Sequence, residues 1–479
     1  MNAPAPILSS MKTDGSRIMI HTADVRGKWI QRRQWVYAAL ILFFVLGPFI
    51  PIGGHPMIQL DIEHRSFYLF GGTFNAQDFW MVLLLALSFA FGLLLVTASY
   101  GRVWCGWTCP QTVFMEGVFR PIERFFEGPR DRRLKLQDEP WTVGKILRRL
   151  GKLTAFLLVS MIIAHTFAAV VVSPKELWLM INEGPFLHSE AFFLTLGITV
   201  ALMFNFTWFR EQTCVVICPY GRVQSVLHDE DSQVITYDAA RGEPRGKFVR
   251  DPAPGSAKAG DCVDCKRCIQ VCPTGIDIRN GLQMECLACT QCIDACDEVM
   301  VKLNRAPGLI KFLSHHEVLG GPRRGMRPRL AVYGVLMTAA LVALGVALVT
   351  RTPFEANAFR ARGQNPFVLD GDLVRNPFQV HIFNKNTQTA RFHFELKAPV
   401  PDEVSLRDSE LELASLTDSF VPVLVSIDRK YLGKPIEIEL LVRDEVSKAE
   451  KTLHVGFMAP FGYGPKEEHH HEEHGEGHK

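Results

Sequence analysis

Five apolar segments constrain this 479-residue chain more than any other feature. They are Trp35–Ile52, Phe79–Ala98, Leu153–Ser173, Ala191–Phe209 and Leu330–Thr350, and none contains Asp, Glu, Lys or Arg. In lipid, backbone polar groups must pair within the segment, so an apolar run of about 20 residues crosses a bilayer as a helix. Buried helices of a large soluble protein are the alternative. Five such runs with charged flanks disfavour it. Residues 1–34 are polar and hold no short apolar core with a small-residue cleavage site, so no removable signal peptide is expected.

Net charge is only +2, but Lys and Arg are unevenly spread. Residues 1–34 carry 6, residues 53–78 carry 1, residues 99–152 carry 11, residues 174–190 carry 1 and residues 210–329 carry 17. Basic segments stay in the cytoplasm. The pattern therefore predicts an inside N-terminus, five crossings, and residues 351–479 outside.

All twelve cysteines lie between Cys105 and Cys296, on the inner side or at its membrane edge by this reading. That compartment is reducing, which favours thiolate–metal chemistry over disulfides. Eight form two runs, Cys262, Cys265, Cys268, Cys272 and Cys286, Cys289, Cys292, Cys296. Each has the spacing C-x2-C-x2-C-x3-C, in which three thiolates on one loop cover three corners of a cubane. In two-cluster ferredoxins the fourth cysteine ligates the other cluster. The assignment is Cys262, Cys265, Cys268 and Cys296 to one [4Fe–4S] cluster, and Cys286, Cys289, Cys292 and Cys272 to the other. Two zinc sites are the rival, but zinc rarely uses this spacing. Pro273 follows the first run; Asp297 replaces it after the second and changes only a turn.

The remaining cysteines form two C-x3-C-P units, Cys105/Cys109 and Cys214/Cys218, after the second and fourth apolar segments. Both units are followed by amphipathic stretches, which indicates an internal duplication. If each pair occupies positions i and i+4 of a helix, its sulfurs share one face. Soft thiolates suit Cu(I), zinc or iron–sulfur centres. Buried small hydrophobes at helix ends are the bland alternative. His165, within the third crossing, is a candidate functional group or a neutral histidine bonded to a neighbouring helix. His55, Met57 and His64 are weaker metal candidates. No G-x-G-x-x-G occurs, so no tightly bound NAD or flavin is expected.

Length suggests about three domains. Residues 231–260 are rich in Gly, Pro and charge and read as a linker or covering loop. FQVHIF, ARFHFEL, PVLVSI and IEIELLV alternate as short strands, with Asn384-Lys385-Asn386 as a hairpin turn between the first two. They predict a β-sandwich. The tail carries His469, His470, His471, His474 and His478 and is expected to be disordered, with weak divalent-metal binding one option.

WCGWTCP, REQTCVVICPYGRVQSVLHDED and CPTGIDIRNGLQMECLACTQCIDACDEVM resemble the cytochrome c oxidase accessory proteins called CcoG, FixG or RdxA. The resemblance covers nearly the whole chain. It implies a multidomain, multi-pass protein of the bacterial inner membrane: a bundle of five helices, a cytoplasmic two-cluster ferredoxin domain and a periplasmic immunoglobulin-like domain. The segments are 1–34 cytoplasmic, 35–210 the first four crossings, 211–329 cytoplasmic with the ferredoxin domain at about 255–305, 330–350 the fifth crossing, 351–462 the β domain and 463–479 the tail. It further implies reduction of Cu(II) to Cu(I) for a cbb-type oxidase, with Cys105, Cys109, Cys214 and Cys218 as copper ligands and catalytic residues. Partners would be copper, a copper carrier or chaperone, oxidase assembly proteins, membrane lipid and an electron donor of unknown identity, with no nucleic acid. A quinol-linked ferredoxin module and a non-redox assembly scaffold are the competing functions.

Overall fold

The computed structural model describes residues 18–62, 66–75, 78–247, 260–323, 325, 327–360, 363, 365–386, 388–397, 404–405, 410–415, 417–432 and 436–460. Contacts divide the chain into two units, residues 1–72 with 76–345 and residues 73–75 with 346–479.

In chain order the first unit begins with helices α1 (Lys28–Leu46), α2 (Phe79–Tyr100), α3 (Val103–Trp107), α4 (Pro110–Phe114), α5 (Arg120–Glu127) and α6 (Arg130–Asp138). Then come α7 (Val143–Val172), α8 (Pro174–Glu183), α9 (Ser189–Phe204) and α10 (Pro219–Leu227). Among the described residues, four helices are long and apolar enough to cross a membrane: 79–100, 143–172, 189–209 and 328–349. The segment expected as the first crossing differs. Its helix starts at Lys28, carries Arg32 and Arg33, and ends where Gly47 and Pro48 turn the chain. The apolar helical part, from Trp35 to Leu46, spans about 18 Å at 1.5 Å per residue, short of a core about 30 Å thick.

Arg210 leaves the π turn after α9 with φ of 51°, as Gly101 leaves α2 with φ of 62°. Both hairpins thus turn sharply before their cysteine units. Phe119 stacks on Phe206 at 4.0 Å between ring centroids and meets Phe156 edge-on at 4.9 Å. This aromatic plug, with Met115 and Ile163, packs the segment after the first cysteine unit against α7 and the end of α9.

The ferredoxin body is closed by a two-stranded sheet, Val234–Tyr237 antiparallel to Ile310–Leu313. Ile235, Ile276, Ile278, Ile293, Met300 and Ile310 fill its core around the cysteines. The expected linker over residues 231–260 is therefore in part structured, with the strand Val234–Tyr237 and a short helix, Ala239–Gly242, while residues 248–259 lie outside the described residues.

The second unit contains two antiparallel sheets. One runs Val404–Ser405, Asp418–Asp428, Leu373–Asn384, Phe354–Arg360, with Val368–Asp370 also on Leu373–Asn384; the other runs Glu410–Leu413, Ala390–Lys397, Glu437–Asp444, Glu450–Gly456. Inward residues of both, among them Val380, Ile382, Val423, Phe392 and Val442, form one core, as period-2 alternation requires. The expected Asn384–Asn386 hairpin does not form, because the strands it joins lie in different sheets. Asn384 is fully buried, and its amide donates to the carbonyls of Gln388, Leu413 and Ala414. The buried amide holds a crossover between sheets, where a short polar turn had suggested a hairpin.

Candidate functional site

The two cysteine runs fold alike. In the first, Asp264 and Lys266 flank Cys265 with φ of 50° and 57°; in the second, Ala288 and Thr290 flank Cys289 with φ of 50° and 64°. A non-glycine residue in this region costs of order 1 kcal/mol or more and persists only where the surroundings over-determine it. The same pair of strained positions in both loops marks a shared demand on backbone shape. After each loop the chain enters a helix, Arg267–Gln270 or Gln291–Lys302.

Two cavities lie among these sulfurs. One is lined by Cys268, Cys272, Cys286, Cys289 and Cys292. The other is lined by Cys262, Cys265, Cys268 and Cys296. The cysteines ring space rather than converge on a point; among the described residues no three His, Cys, Asp or Glu side chains are gathered closely enough for a single ion. An enclosed space ringed by soft sulfur fits an iron–sulfur cluster. Burial pushes the thiols of Cys268, Cys286 and Cys296 up to about 12. Ionising them requires a bound cation to offset the desolvation, as a metal centre does.

The four other cysteines lie just beyond the C-terminal ends of α2 and α9, and among the described residues no three of them approach closely enough to hold an ion unaided. Neither pair sits on one continuous helix, contrary to the i, i+4 expectation. Cys105 is in α3 and Cys214 in a π turn, whereas Cys109 and Cys218 are extended, with ψ of 126° and 113°, and start new helices. The following prolines, Pro110 and Pro219, disfavour helical backbone at the residue before them. Burial lifts Cys105 to about 11 and Cys214 to about 12.

This four-thiol patch abuts the ferredoxin body. Cys105, Leu287 and Cys289 form one buried cluster with Cys214 and Tyr220 against it. A Cβ on Gly106 would strike the Leu287 carbonyl and lie 2.9 Å from Cys289 Cα. Arg102 spans the junction, donating to the Met284 carbonyl at 2.5 Å and to the Cys214 carbonyl at 3.4 Å. Gly221 leaves room for that guanidinium.

Buried charges fasten this arrangement, and the sequence reading had not singled them out. Arg33 of α1, almost fully buried, donates to the Cys289 carbonyl at 2.6 Å and pairs with Glu116 at 3.6 Å. Asp294, between Cys292 and Cys296, accepts from Trp29 and Ile30 N–H groups at 3.3 and 2.8 Å and so caps α1. Arg120 reaches the Pro273 carbonyl at 3.2 Å and pairs with Glu116 and Glu211. Burial opposes the charge on Glu123, yet Arg210, Lys152 and Arg133 hold it down to about 2. The available signal was Glu116, Glu123 and Glu127 recurring among basic residues just after the first cysteine unit.

The outlying candidates are not gathered into this site. His165 Nδ1 is 2.8 Å from the carbonyl of Met161, one turn back in its own helix. With Met161, Met180 and His188 it lines an apolar cavity between α7, α8 and α9. His55 stacks on Tyr68 at 4.2 Å between ring centroids. His64 and the tail histidines, His469, His470, His471, His474 and His478, lie outside the described residues.

A multidomain membrane protein with a two-cluster ferredoxin body and an immunoglobulin-like C-terminal unit is the class this architecture defines. Residues 209–315 match the family described as a 4Fe-4S dicluster domain, residues 82–129 a 4Fe-4S binding domain, and residues 344–460 the "IG-like fold at C-terminal of FixG". The chain is 32% identical over 436 residues to Protein RdxA of Cereibacter sphaeroides, covering 88% of this chain and 90% of that one. It is 34% identical over 423 residues to Nitrogen fixation protein FixG of Rhizobium meliloti, covering 76% and 79%. Protein RdxB of Cereibacter sphaeroides is 32% identical over 398 residues, covering 80% and 82%. The chain belongs to the FixG/RdxA family, whose iron–sulfur centres make it a redox protein of electron transport.

Proposed function

We propose that this protein is a cupric reductase of the bacterial inner membrane, with its cysteines on the cytoplasmic side and its β domain in the periplasm. Cys262, Cys265, Cys268 and Cys296 hold one [4Fe–4S] cluster, and Cys272, Cys286, Cys289 and Cys292 hold the other; these supply one-electron transfer. Cys105, Cys109, Cys214 and Cys218 receive Cu(II), which takes one electron and leaves as Cu(I) for a copper carrier serving a cbb-type oxidase. The observation that carries this reading is the contact of Cys105 and Cys214, one cysteine from each pair, with Leu287 and Cys289. It gives an electron on the second cluster a short route to a soft-donor site, and thiolates favour Cu(I) over Cu(II). Arg102 and Arg33 hold the two parts in register.

The test is anaerobic reduction of the purified chain followed by Cu(II), with cluster absorbance and a Cu(I)-specific chelator read together. Cluster oxidation should match Cu(I) formation. Replacing all four C-x3-C-P cysteines by Ala should leave the cluster spectrum intact and abolish both changes. Undiminished Cu(I) formation in that variant sinks the copper reading.

The match of residues 82–129 to a 4Fe-4S binding domain favours a second reading, because Cys105 and Cys109 are the only cysteines in that stretch. In it the four thiols hold a further cluster. Iron content then approaches about twelve per chain instead of about eight, and falls by about four in the variant.

A further inference from the structure

Between the start of α1 and α5 lies a cavity of about 410 Å3 that neither the cysteine rings nor the four thiols use. Its inner wall belongs to the scaffold of the second cysteine ring. Gln291 lines it and precedes Cys292; Arg120 lines it and donates to the carbonyl of Pro273, which follows Cys272. Glu116 also lines it, accepts from Gln291 at 3.0 Å, and pairs with Arg33, which donates to the Cys289 carbonyl. Ile30, Pro121 and Phe125 add an apolar part to an otherwise largely polar lining, and Phe125 is 82% exposed. Trp35, beside the lining residue Gln34, is 78% exposed and lies where α1 turns from charged to apolar. An exposed Trp at such a boundary fits the aromatic belt that marks a bilayer–water interface.

We infer that this cavity binds a quinol, and that electrons enter the protein here. The inference rests on the proposed path from the clusters to copper and names the donor for it. The charge pattern selects the class. Arg120 pairs with Glu116 and Glu211, Arg124 with Asp24 at 3.0 Å, and Arg133 with Glu123 at 3.2 Å. Each of these arginines already faces a carboxylate, and Glu116 and Glu123 are shared with Arg33 and with Arg210 and Lys152, so the cavity is a site of mixed charge in which the phosphates of a soluble nucleotide donor would also meet carboxylates. A neutral dihydroxy ring can donate to the carboxylates, accept from the guanidinium groups, and lay its apolar tail past Phe125 into lipid. The volume is near that of pockets for ligands of this size.

Oxidation of the quinol to a quinone breaks two O–H bonds and releases two electrons and two protons. The electrons leave singly, one toward each cluster, and the protons pass to water. Two Cu(II) ions then take one electron each.

The experiment uses the full chain, with its iron–sulfur centres loaded, in lipid nanodiscs. A photoreactive azidoquinone is cross-linked and the peptides are mapped. Label should fall on residues 22–34 and 116–125, and a short-chain quinone should displace it. Separately, a short-chain quinol should bleach the cluster absorbance. Gln34→Trp, which fills the cavity mouth, should slow that bleaching about tenfold, while dithionite bleaches variant and native chain alike. Label elsewhere, displacement by phospholipid but not by quinone, or full-rate bleaching in Gln34→Trp overturns the inference. Adding Cu(II) to dithionite-reduced native protein separates the two readings. Failure there removes the copper step and leaves the quinol site standing; failure of the labelling does the reverse.

Discussion

Glu123→Gln tests the buried charge network that ties the two cysteine units together. The carboxylate is 3% exposed and lies 2.8 Å from Arg210, 3.2 Å from Arg133 and 3.7 Å from Lys152. Arg210 stands four residues before Cys214, so this one side chain links α5, α6, α7 and the entry to the second unit. Glutamine keeps the shape and removes the charge, stranding two buried guanidinium groups. The drop of Glu123 from 4.5 to about 2 corresponds to about 3 kcal/mol. Breaking buried ion pairs elsewhere costs a similar ~3–5 kcal/mol. The assay is thermal unfolding of the full chain in detergent, where the variant should melt roughly 4 °C lower at pH 7. The folded value lies below the unfolded one, so the carboxylate's contribution is complete above about pH 4.5 and is lost as pH falls through about 2. The gap between native chain and variant should therefore narrow on acidification below pH 4.5. A variant as stable as the native chain at pH 7, or a gap that widens in acid, refutes the reasoning.

Gly106→Ala places a methyl against backbone atoms of Leu287 and Cys289, so the second cluster's spectroscopic signal should weaken while the first persists; equal loss of both signals would contradict this. Cys272→Ser should remove the same signal as Cys289→Ser, and Cys296→Ser the same as Cys268→Ser, because Cys272 lines the cavity of Cys286, Cys289 and Cys292 while Cys296 lines that of Cys262, Cys265 and Cys268. Arg33→Met takes a buried cation from beside Cys289 and leaves Glu116 facing it, so the midpoint potential of that cluster should fall in a redox titration; an unchanged or higher potential counts against it. A periplasm-dependent reporter fused after Lys479 should be active; activity of a cytoplasm-only reporter there would mean that α1, with its short apolar stretch, does not cross.

Much of this protein is written in local patterns. Apolar runs of about 20 residues commit the backbone to helices in lipid, and period-2 alternation commits residues 354–456 to strands. The spacing of Cys262 to Cys272 and of Cys286 to Cys296 is the chemistry itself, since three sulfurs on one tight loop are a local property. The C-x3-C-P repeat likewise announced two related units. What local pattern could not supply is what faces what. The Gly47–Pro48 break, the crossover held by Asn384, and the helix breaks at Cys109 and Cys218 each depend on neighbours far along the chain or on backbone geometry that residue spacing does not encode. The charged residues are the clearest case. Arg33, Glu116, Glu123 and Arg210 look in sequence like ordinary solvated side chains. Only packing takes them out of water, and only their pairing there, at distances set by α1, the helical run over residues 110–127 and the turn after α9, makes burial tolerable and joins the ferredoxin body to the membrane helices.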